Sequence, residues 1–244
     1  MIRRRALLGA GAAGLALVLT ACAGDERPAT GPRPLTVDEA ELLSTVRFLN
    51  HQRTRSIVRA TIPAAGRTLK LDGRVDWSAH SGYAQVHVPD RQENTLVRWD
   101  LGTASTRPAE RAELPDPPPP SGWQQRPLDP RTDPVDAVLL LVLGLSADRP
   151  ENAQLLRQGG ASRLGEENID GTPVTVFSGP RPPDSTGSAQ DAAPSERRTR
   201  YWVDADGRLC RFAALVTGGK WATVDFPQGD AAPVPTVNPP EGSG

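Results

Sequence analysis

The sequence is poor in the residues that build covalent and metal-based scaffolds. It has 2 cysteines and 3 histidines among 244 residues, which excludes a disulfide-rich scaffold and a zinc site built from cysteines. Its 28 basic side chains nearly balance 29 acidic ones, giving a formal net charge of −1. This balance lacks the basic excess of a nucleic-acid binder. We therefore expect no nucleic-acid partner.

Catalytic motifs are also missing from the sequence. There is no Gly-x-Ser-x-Gly, no His-Glu-x-x-His and no phosphate-binding glycine loop. His51, His80 and His87 lack metal-ligand spacing and are interpreted as solvated or hydrogen-bonded surface residues. The segment Asp204–Gly207 has the start of a calcium loop, but an apolar strand replaces the acidic ligand that should follow. We predict a non-enzymatic protein without a metal or cofactor; a hydrolase is the weakest alternative because no nucleophile and base can be named.

The N-terminus has the layout of a bacterial export signal. A basic start, Arg3–Arg5, is followed by an uncharged run and then by Leu19-Thr20-Ala21-Cys22. An aliphatic residue, two small or polar residues and a cysteine match the lipobox of bacterial lipoproteins. We predict that residues 1–21 are a signal peptide and that Cys22 carries the diacylglyceryl anchor. The protein would then be held on the extracytoplasmic face of the cell membrane.

An uncleaved anchor is the alternative for this segment. The uncharged run Ala6–Gly24 is close to the ~20 residues that cross a bilayer. Its richness in glycine and alanine, and the lack of a basic stop-transfer cluster after it, favour cleavage. Arg4-Arg5-Ala6-Leu7-Leu8 loosely resembles a twin-arginine motif, so this route and the general secretory route both stay open.

The next part of the chain changes from a tether to a helix and a meander. Residues 22–35 are small or polar with three prolines and predict a flexible, lipid-anchored tether. Thr36 and Glu39 form a capping box, and apolar residues at helical spacing continue to about Asn50. Period-2 alternation then predicts antiparallel strands over 56–62, 69–77, 83–88 and 95–100.

A proline-rich stretch and two central helices separate this meander from a second one. Residues 114–134 predict a long extended connection that cannot supply donors to a sheet. The segment Val135–Leu145 is apolar nearly all round, so as a helix it must lie inside the protein. A short helix then follows from Asp148 and Pro150 and ends at Gly159-Gly160.

The second half of the chain predicts another meander. Its strands are predicted at 162–166, 172–177, 198–203, 209–217 and 220–226, with a last one at 234–237. Residues 178–196 are predicted to be a disordered loop, and residues 238–244 a disordered tail. The summed pattern predicts one α+β domain over 36–237. Its large antiparallel sheet of eight to eleven strands would curl into a half β-barrel over the N-terminal helix and the central apolar helices.

The order of these motifs resembles a known family. The lipobox, Gly73-Arg74-Val75-Asp76, Asp133-Pro134 with its apolar helix, Asn168–Pro173 and Tyr201–Leu209 look like those of the actinobacterial LppX/LprG-type lipoproteins of the LolA-like group. The resemblance covers about Thr36 to Val237. It implies a half-barrel folded over helices around an apolar cavity, and the binding or transport of acylated lipids at the cell envelope. The proline-rich stretch and the polar loop are longer than such a domain requires.

The resemblance and the apolar pattern together give a candidate site. We expect a lipid or other apolar ligand between the sheet and the helix over 135–145. The predicted lining residues are Leu71, Val75, Trp77, Val86, Trp99, Val138, Leu141, Val142 and Leu145. A closed core would use the same residues, so the alternative function is a lipid-anchored interaction or sensor module without a ligand. Cys210 lies in an apolar strand and is predicted to be a buried small hydrophobic residue, with a reactive thiol as the alternative.

Overall fold

The computed structural model describes residues 31–235, apart from 90, 92, 110, 112, 182–197 and 217–218. The predicted signal peptide, Cys22, the polar loop and the C-terminal tail therefore lie largely or wholly outside the described residues. Within them the chain forms three helices, α1 (Val37–Arg53), α2 (Pro134–Leu143) and α3 (Ala153–Gln158). The described strands are β1 (Arg33–Pro34), β2 (Arg55–Ala64), β3 (Arg67–Asp76), β4 (Ser81–Val88), β5 (Glu93–Trp99), β6 (Thr103–Pro108), β7 (Gln124–Pro127), β8 (Ser162–Ile169), β9 (Thr172–Ser178), β10 (Thr199–Val203), β11 (Leu209–Val216) and β12 (Lys220–Asp225).

All twelve described strands belong to one open antiparallel sheet. Its order is β1-β8-β9-β10-β11-β12-β2-β3-β4-β5-β6-β7. Each predicted meander is continuous, and the pairing of β12 with β2, with Val224 opposite Ala60, joins the two. The predicted single large sheet is thus confirmed, with one strand more than the upper bound of the prediction.

The sheet bends towards α2. This helix contacts β11 and β4, and Asp136 of α2 accepts a hydrogen bond from Arg126 of β7 at 2.7 Å. Strands β11 and β7 are separated by seven inter-strand spacings in the sheet. In a flat sheet this is a distance of about 34 Å, at ~4.8 Å per spacing. A ten-residue helix is only about 15 Å long and would not reach both in a flat sheet. The side of the sheet that α2 contacts is called the helix face below, and the opposite side the outer face.

The main core lies between the helix face and the three helices. Alternation puts one set of apolar strand residues on this face, where they are buried with the inward residues of the helices. Its larger strand members include Val58, Ile62, Leu71, Val75, Val97, Trp99, Phe177, Phe212 and Val224. A smaller cluster contains Trp202 and Cys210. Cys210 is buried, as predicted.

Helix α1 starts at the predicted capping box. The Glu39 amide donates to Thr36 Oγ1 at 3.2 Å, and the Thr36 amide donates to the Glu39 carboxylate at 3.0 Å. Because two otherwise unpaired amides are satisfied, the helix begins at a defined residue. Ala40, Leu43 and Val46 of α1 are buried in the core.

The ordered structure begins before Thr36, inside the segment predicted as tether. Arg33 and Pro34 pair with Arg163 and Ser162 of β8, and Leu35 is buried. The Arg33 guanidinium also donates to both carboxylate oxygens of Glu39, at 2.6 and 2.7 Å. Pairing with the edge of β8 and this ion pair together fix a short segment whose composition alone indicates a flexible chain.

The proline-rich stretch is more structured than its composition predicts. It contains strand β7, which pairs with β6, and its preceding part folds over the outer face. Tyr83 Oη donates to the Pro115 carbonyl at 3.0 Å, and just before the stretch the Arg111 carbonyl accepts from Gln85 Nε2 at 2.7 Å. Prolines cannot donate backbone hydrogen bonds, but their carbonyls still accept them. The connection therefore caps polar side chains of the sheet.

The C-terminal strand predicted at 234–237 is not seen in the described part. Residues 234 and 235 are not in a strand, and 236 onwards lies outside the described residues. Three prolines, at 227, 233 and 235, remove backbone donors from this stretch, which explains why it does not extend the sheet.

Candidate functional site: a groove beside helix α2

Helix α2 is anchored at its N-terminus by polar contacts. The Asp133 side chain accepts a hydrogen bond from the Val135 amide at 2.8 Å, and Pro134 occupies the first turn. Asp136 is 0% exposed and accepts from Arg126 at 2.5 and 2.7 Å and from the Asp129 amide at 2.8 Å. The hydrogen bond to Asp136 raises the pKa of the Arg126 guanidinium above its ordinary value. An apolar helix is thus held in a defined orientation.

One flank of α2, called the sealed flank, is closed by two indole rings. Trp77 Nε1 donates to the Val142 carbonyl at 3.0 Å, and Trp99 Nε1 donates to the Leu139 carbonyl at 3.1 Å. Both indole N–H groups are buried and both are satisfied. The ring of Trp99 also covers Gly82, where a Cβ atom would come within 2.1 Å of Cζ2 of the ring. This close fit leaves no room for a ligand.

The other flank, called the open flank, faces a groove of about 530 Å³. Ala137, Leu140, Leu141 and Gly144 lie at positions i, i+3, i+4 and i+7, so they form one stripe along the helix. The facing wall carries Tyr201 of β10 and Phe212 of β11, whose rings make an edge contact with centroids 5.1 Å apart. The groove therefore has an aliphatic and an aromatic wall.

One end of the groove is polar. Arg47 of α1 donates from Nη1 to Glu151 at 2.7 Å, and both side chains line the groove together with Thr199. Burial raises the pKa of the Tyr201 phenol, and the negative charge of Glu151 adds to this effect. A tyrosine with its ordinary pKa of about 10 is already protonated near neutral pH, so the raised pKa leaves the Tyr201 hydroxyl a hydrogen-bond donor.

The nine residues predicted to line a cavity are divided between these two environments. Leu141 and Leu145 line the groove, and Leu145 is at the same time a buried core residue. Val86 is half-buried against the core, and the other six are buried core residues: Leu71, Val75, Trp77, Trp99, Val138 and Val142. Their role in binding a ligand stays a prediction, as does lipidation of Cys22, which lies outside the described residues.

The sequence did not lead us to predict the aromatic wall of the groove opposite α2 or its polar end. Tyr201 and Phe212 are register partners in the β10–β11 pair, so the predicted hairpin around Asp204–Gly207 could have brought them together. The helical stripe of Ala137, Leu140, Leu141 and Gly144 was also readable from spacing. No local signal joins Arg47 to Glu151, because 104 positions separate them.

Several other polar groups have structural partners. Asp204 accepts from the amides of Asp206 and Arg208 at 3.1 and 2.8 Å, which confirms its predicted role in a turn. His51 Nδ1 lies 3.4 Å from the Ser146 hydroxyl. In the part of the chain that the structure describes, no group of three or more His, Cys, Asp or Glu side chains is arranged to hold a metal ion. Likewise, no described helix is long and apolar enough to span a membrane.

A second groove lies on the outer face beneath the proline-rich connection. It measures about 590 Å³, and its lining includes Arg107, Arg111, Glu113 and Asp116 together with several prolines. Its charges are mixed, and Asp116 already pairs with Arg74 at 3.1 Å. The groove beside α2 is the better candidate because it combines apolar walls with a single polar end.

Comparisons with known proteins assign no family to this chain. No family model matches it, and no curated protein matches it. Among solved structures, it is similar to the Mycobacterium tuberculosis lipoprotein LppX, with 18% identity, a TM-score of 0.43 and coverage of 77% of this chain and 93% of that one. An uncharacterized conserved protein from Thermus thermophilus is similar at 12% identity, with a TM-score of 0.36 and coverage of 74% and 80%. At these scores the likeness is too distant to assign a function.

Proposed function

We propose that this chain is a lipid-anchored envelope protein that binds the acyl chain of a lipid in the groove along the open flank of α2. The observation that carries this proposal is the half-buried apolar stripe of Ala137, Leu140, Leu141 and Gly144 facing the rings of Tyr201 and Phe212. The role is binding rather than catalysis, because the sequence offers no nucleophile and base pair.

The chemistry of the groove suits an alkyl chain. Its volume of about 530 Å³ falls within the range of small-molecule sites, roughly 300–1,000 Å³. Each methylene group moved from water into such a groove contributes about 0.8 kcal/mol. An alkyl chain would therefore cover the helix stripe, which would otherwise remain in water beside the core.

The proposed anchor places the groove close to a source of such lipids. Cys22 and Arg33, the first residue of β1, are eleven positions apart. A fully extended chain of that length spans at most about 40 Å. The domain would therefore stay within one protein diameter of the membrane, where lipids can exchange with the groove.

Binding can be tested with the chain from Ala23 onwards, which contains every described element. After expression in bacteria and purification without detergent, native mass spectrometry should show a bound lipid. Leu140→Asn, which puts an amide in the groove, should remove it, whereas Leu101→Asn, at a residue that is 58% exposed and does not line the groove, should not. A ligand-free mass, with no binding of added acyl compounds, would overturn the proposal.

Anchoring is tested separately with the full chain. In a bacterial host, the protein should fractionate with membranes and carry the mass of a diacylglyceryl group. Cys22→Ser should abolish the diacylglyceryl mass. An unmodified chain that starts at residue 1 and lacks this mass would instead support the uncleaved anchor.

One observation favours a second candidate function, an interaction or sensor module. Seven of the nine predicted cavity residues are buried in the core, as expected of a scaffold that binds no lipid. A chain that stays free of lipid and acyl compounds, yet forms a complex of fixed stoichiometry with one purified envelope protein, would support this alternative.

A further inference from the structure

One end of the sheet carries a group of basic side chains. Strands β10, β12 and β3 run parallel to one another, because one antiparallel strand separates each from the next. All three therefore begin at the same end of the sheet. The basic residues at or beside these three starts, called the basic patch below, are Arg198, Arg200, Lys220, Arg67 and Lys70. They include both lysines of the chain.

Two members of the basic patch lie in one row across the outer face. Tyr201 and Leu71 face the helices, so alternation puts their neighbours Arg200 and Lys70 on the outer face. The strand pairing connects these two residues through small side chains only, which are Ala213, Thr223 and Thr61. No bulky side chain stands between the two cations along this row.

An aromatic ring lies within the basic patch. The guanidinium carbon of Arg200 is 4.5 Å from the ring centroid of Trp221, and this ring is half-buried. Lys70 Nζ donates to the hydroxyl of Thr61 at 2.8 Å. Both cations are thus oriented by uncharged partners and keep an uncompensated positive charge. Tryptophan also suits the boundary between lipid and water, because its ring is apolar and its N–H is polar.

No carboxylate neutralises the basic patch in the part of the chain that the structure describes. In the next row of the outer face, Asp225 pairs with Arg211 at 2.5 Å and Asp72 pairs with Arg59 at 3.4 Å. These carboxylates are therefore already balanced. Because the whole chain has a formal net charge of −1, the basic patch is a local excess of positive charge and fits an anionic partner.

The N-terminal segment indicates which anionic partner is close at hand. The strand pairing places four residues of β1, β8, β9 and β10 in one row, which are Pro34, Ser162, Ser178 and Arg200. Three inter-strand spacings separate β1 from β10, a distance of about 14 Å along the sheet. The eleven positions from Cys22 to the start of β1 span at most about 40 Å. A lipid on Cys22 would hold the basic patch within reach of the head groups of its own membrane.

We propose, building on the lipid anchor described under the proposed function, that the basic patch is a docking surface for anionic phospholipid head groups. It holds the anchored domain with the starts of β10, β12 and β3 towards the membrane. The attraction acts within about a Debye length of the lipid surface, ~8 Å at physiological salt. Thr199, which lines the groove beside α2, lies between Arg198 and Arg200. Docking therefore brings this part of the groove to the lipid surface.

The test uses the chain from Ala23 onwards, which carries no anchor. Its sedimentation is measured with vesicles of phosphatidylcholine alone and of phosphatidylcholine with phosphatidylglycerol at about 3:1. At low salt the chain should bind the mixed vesicles about tenfold more tightly than the neutral ones, an effect of ~1.4 kcal/mol. Raising the salt to about 0.5 M should remove most of this difference, because the charges are screened.

Two double variants locate the binding surface. Arg198→Gln with Lys220→Gln removes two exposed members of the basic patch and should weaken binding to the mixed vesicles about tenfold, since each basic residue near an anionic surface contributes up to about fivefold. Arg149→Gln with Arg157→Gln is the matched control. It also removes two exposed arginines, but these lie in and just before α3, on the helix side of the sheet. Its binding should stay within about twofold of the unmodified chain.

Three results would overturn the docking proposal. The first is equal binding to the two kinds of vesicle, and the second is an equal loss of binding in the two double variants. The third is binding to soluble polyphosphate without binding to the mixed vesicles, because the partner would then not be a membrane.

The same assay separates docking from the acyl-binding function. Leu140→Asn, which blocks the groove, should bind the mixed vesicles as tightly as the unmodified chain does. A loss of binding in this variant would assign the vesicle lipid to the groove and overturn the role of the basic patch. No arm of the experiment uses Cys22, so the acyl-binding and anchoring proposals are decided by their own measurements.

Discussion

Towards β3 and β5, helix α2 is sealed by two tryptophan rings, whereas towards β10 and β11 it leaves a groove of about 530 Å³. On the sealed flank, the indole groups of Trp77 and Trp99 satisfy helix carbonyls and fill the space above the sheet. On the open flank, the rings of Tyr201 and Phe212 pack against each other. One apolar helix thus serves both as a core element and as one wall of a site.

This difference gives the two flanks separate roles. Substitutions on the sealed flank should change the free energy of unfolding, and those on the open flank should change ligand binding. Single substitutions can test this division, beginning with the one that has the largest expected effect.

Trp99→Ala should lower the free energy of unfolding by about 3–5 kcal/mol, because it removes a buried ring and its hydrogen bond to Leu139. Leu141→Ala, on the half-buried stripe of the open flank, should cost about 1 kcal/mol or less but weaken acyl binding. Urea unfolding followed by circular dichroism measures the loss of stability in each variant. Equal losses of stability would contradict the division between the flanks.

Asp136→Asn should destabilise the chain by about 2–3 kcal/mol, because it replaces a buried carboxylate that accepts from Arg126 and from the Asp129 amide. The same unfolding assay applies. Asp133→Asn is a suitable control, since asparagine also caps helices, and it should cost a few tenths of a kcal/mol. A neutral effect of Asp136→Asn would show that these contacts do not hold α2 in place.

Gly82→Ala should cost about 1–3 kcal/mol, because the added methyl group would overlap the ring of Trp99. Gly165→Ala is the matched control: it is also in a strand, and a Cβ there meets nothing within 4 Å. Thermal unfolding of the two variants gives the comparison. Similar melting temperatures would mean that the sealed flank has room to adjust.

The smallest expected effect is on the stability of the fold at acidic pH, and it comes from Asp76, the residue before Trp77. Burial alone would raise the pKa of Asp76, but hydrogen bonds from Ser78, from the Ala79 amide and from Arg55 lower it below its ordinary value. The stabilisation from this carboxylate is therefore complete above its unfolded pKa of about 3.9 and is lost as the pH falls through the lower folded pKa.

Urea midpoints measured between about pH 5 and pH 2.5 should decrease less steeply in Asp76→Asn than in the unmodified chain. Asp72→Asn, in the exposed pair with Arg59, should keep the original slope. Identical slopes in the unmodified chain and Asp76→Asn would show that Asp76 does not support the strand end before Trp77.

Much of the fold follows from local signals in the sequence. Thr36 and Glu39 predict the start of α1, alternation predicts β3, and Asp133 with Pro134 predicts the start of α2. Strand β7 could not be predicted, because prolines normally argue against a strand and only its position at the sheet edge makes it compatible.

The candidate site was less predictable than the fold. The apolar character of α2 indicates that it lies inside the protein, but it does not indicate which flank stays open. Which flank is closed depends on Trp77 and Trp99, whose indole rings extend from the sheet to carbonyl groups of α2. The contact between Arg47 and Glu151 likewise depends on how α1 and the segment before α3 meet in space.

The two edges of the open sheet have a consequence for how copies of this protein coexist. The edge strands β1 and β7 have 2 and 4 residues, and each ends at a proline, Pro34 and Pro127. A short edge with a missing donor is a poor template for adding a strand from another molecule. Many copies could therefore be crowded on one surface without their sheets joining into a continuous fibre.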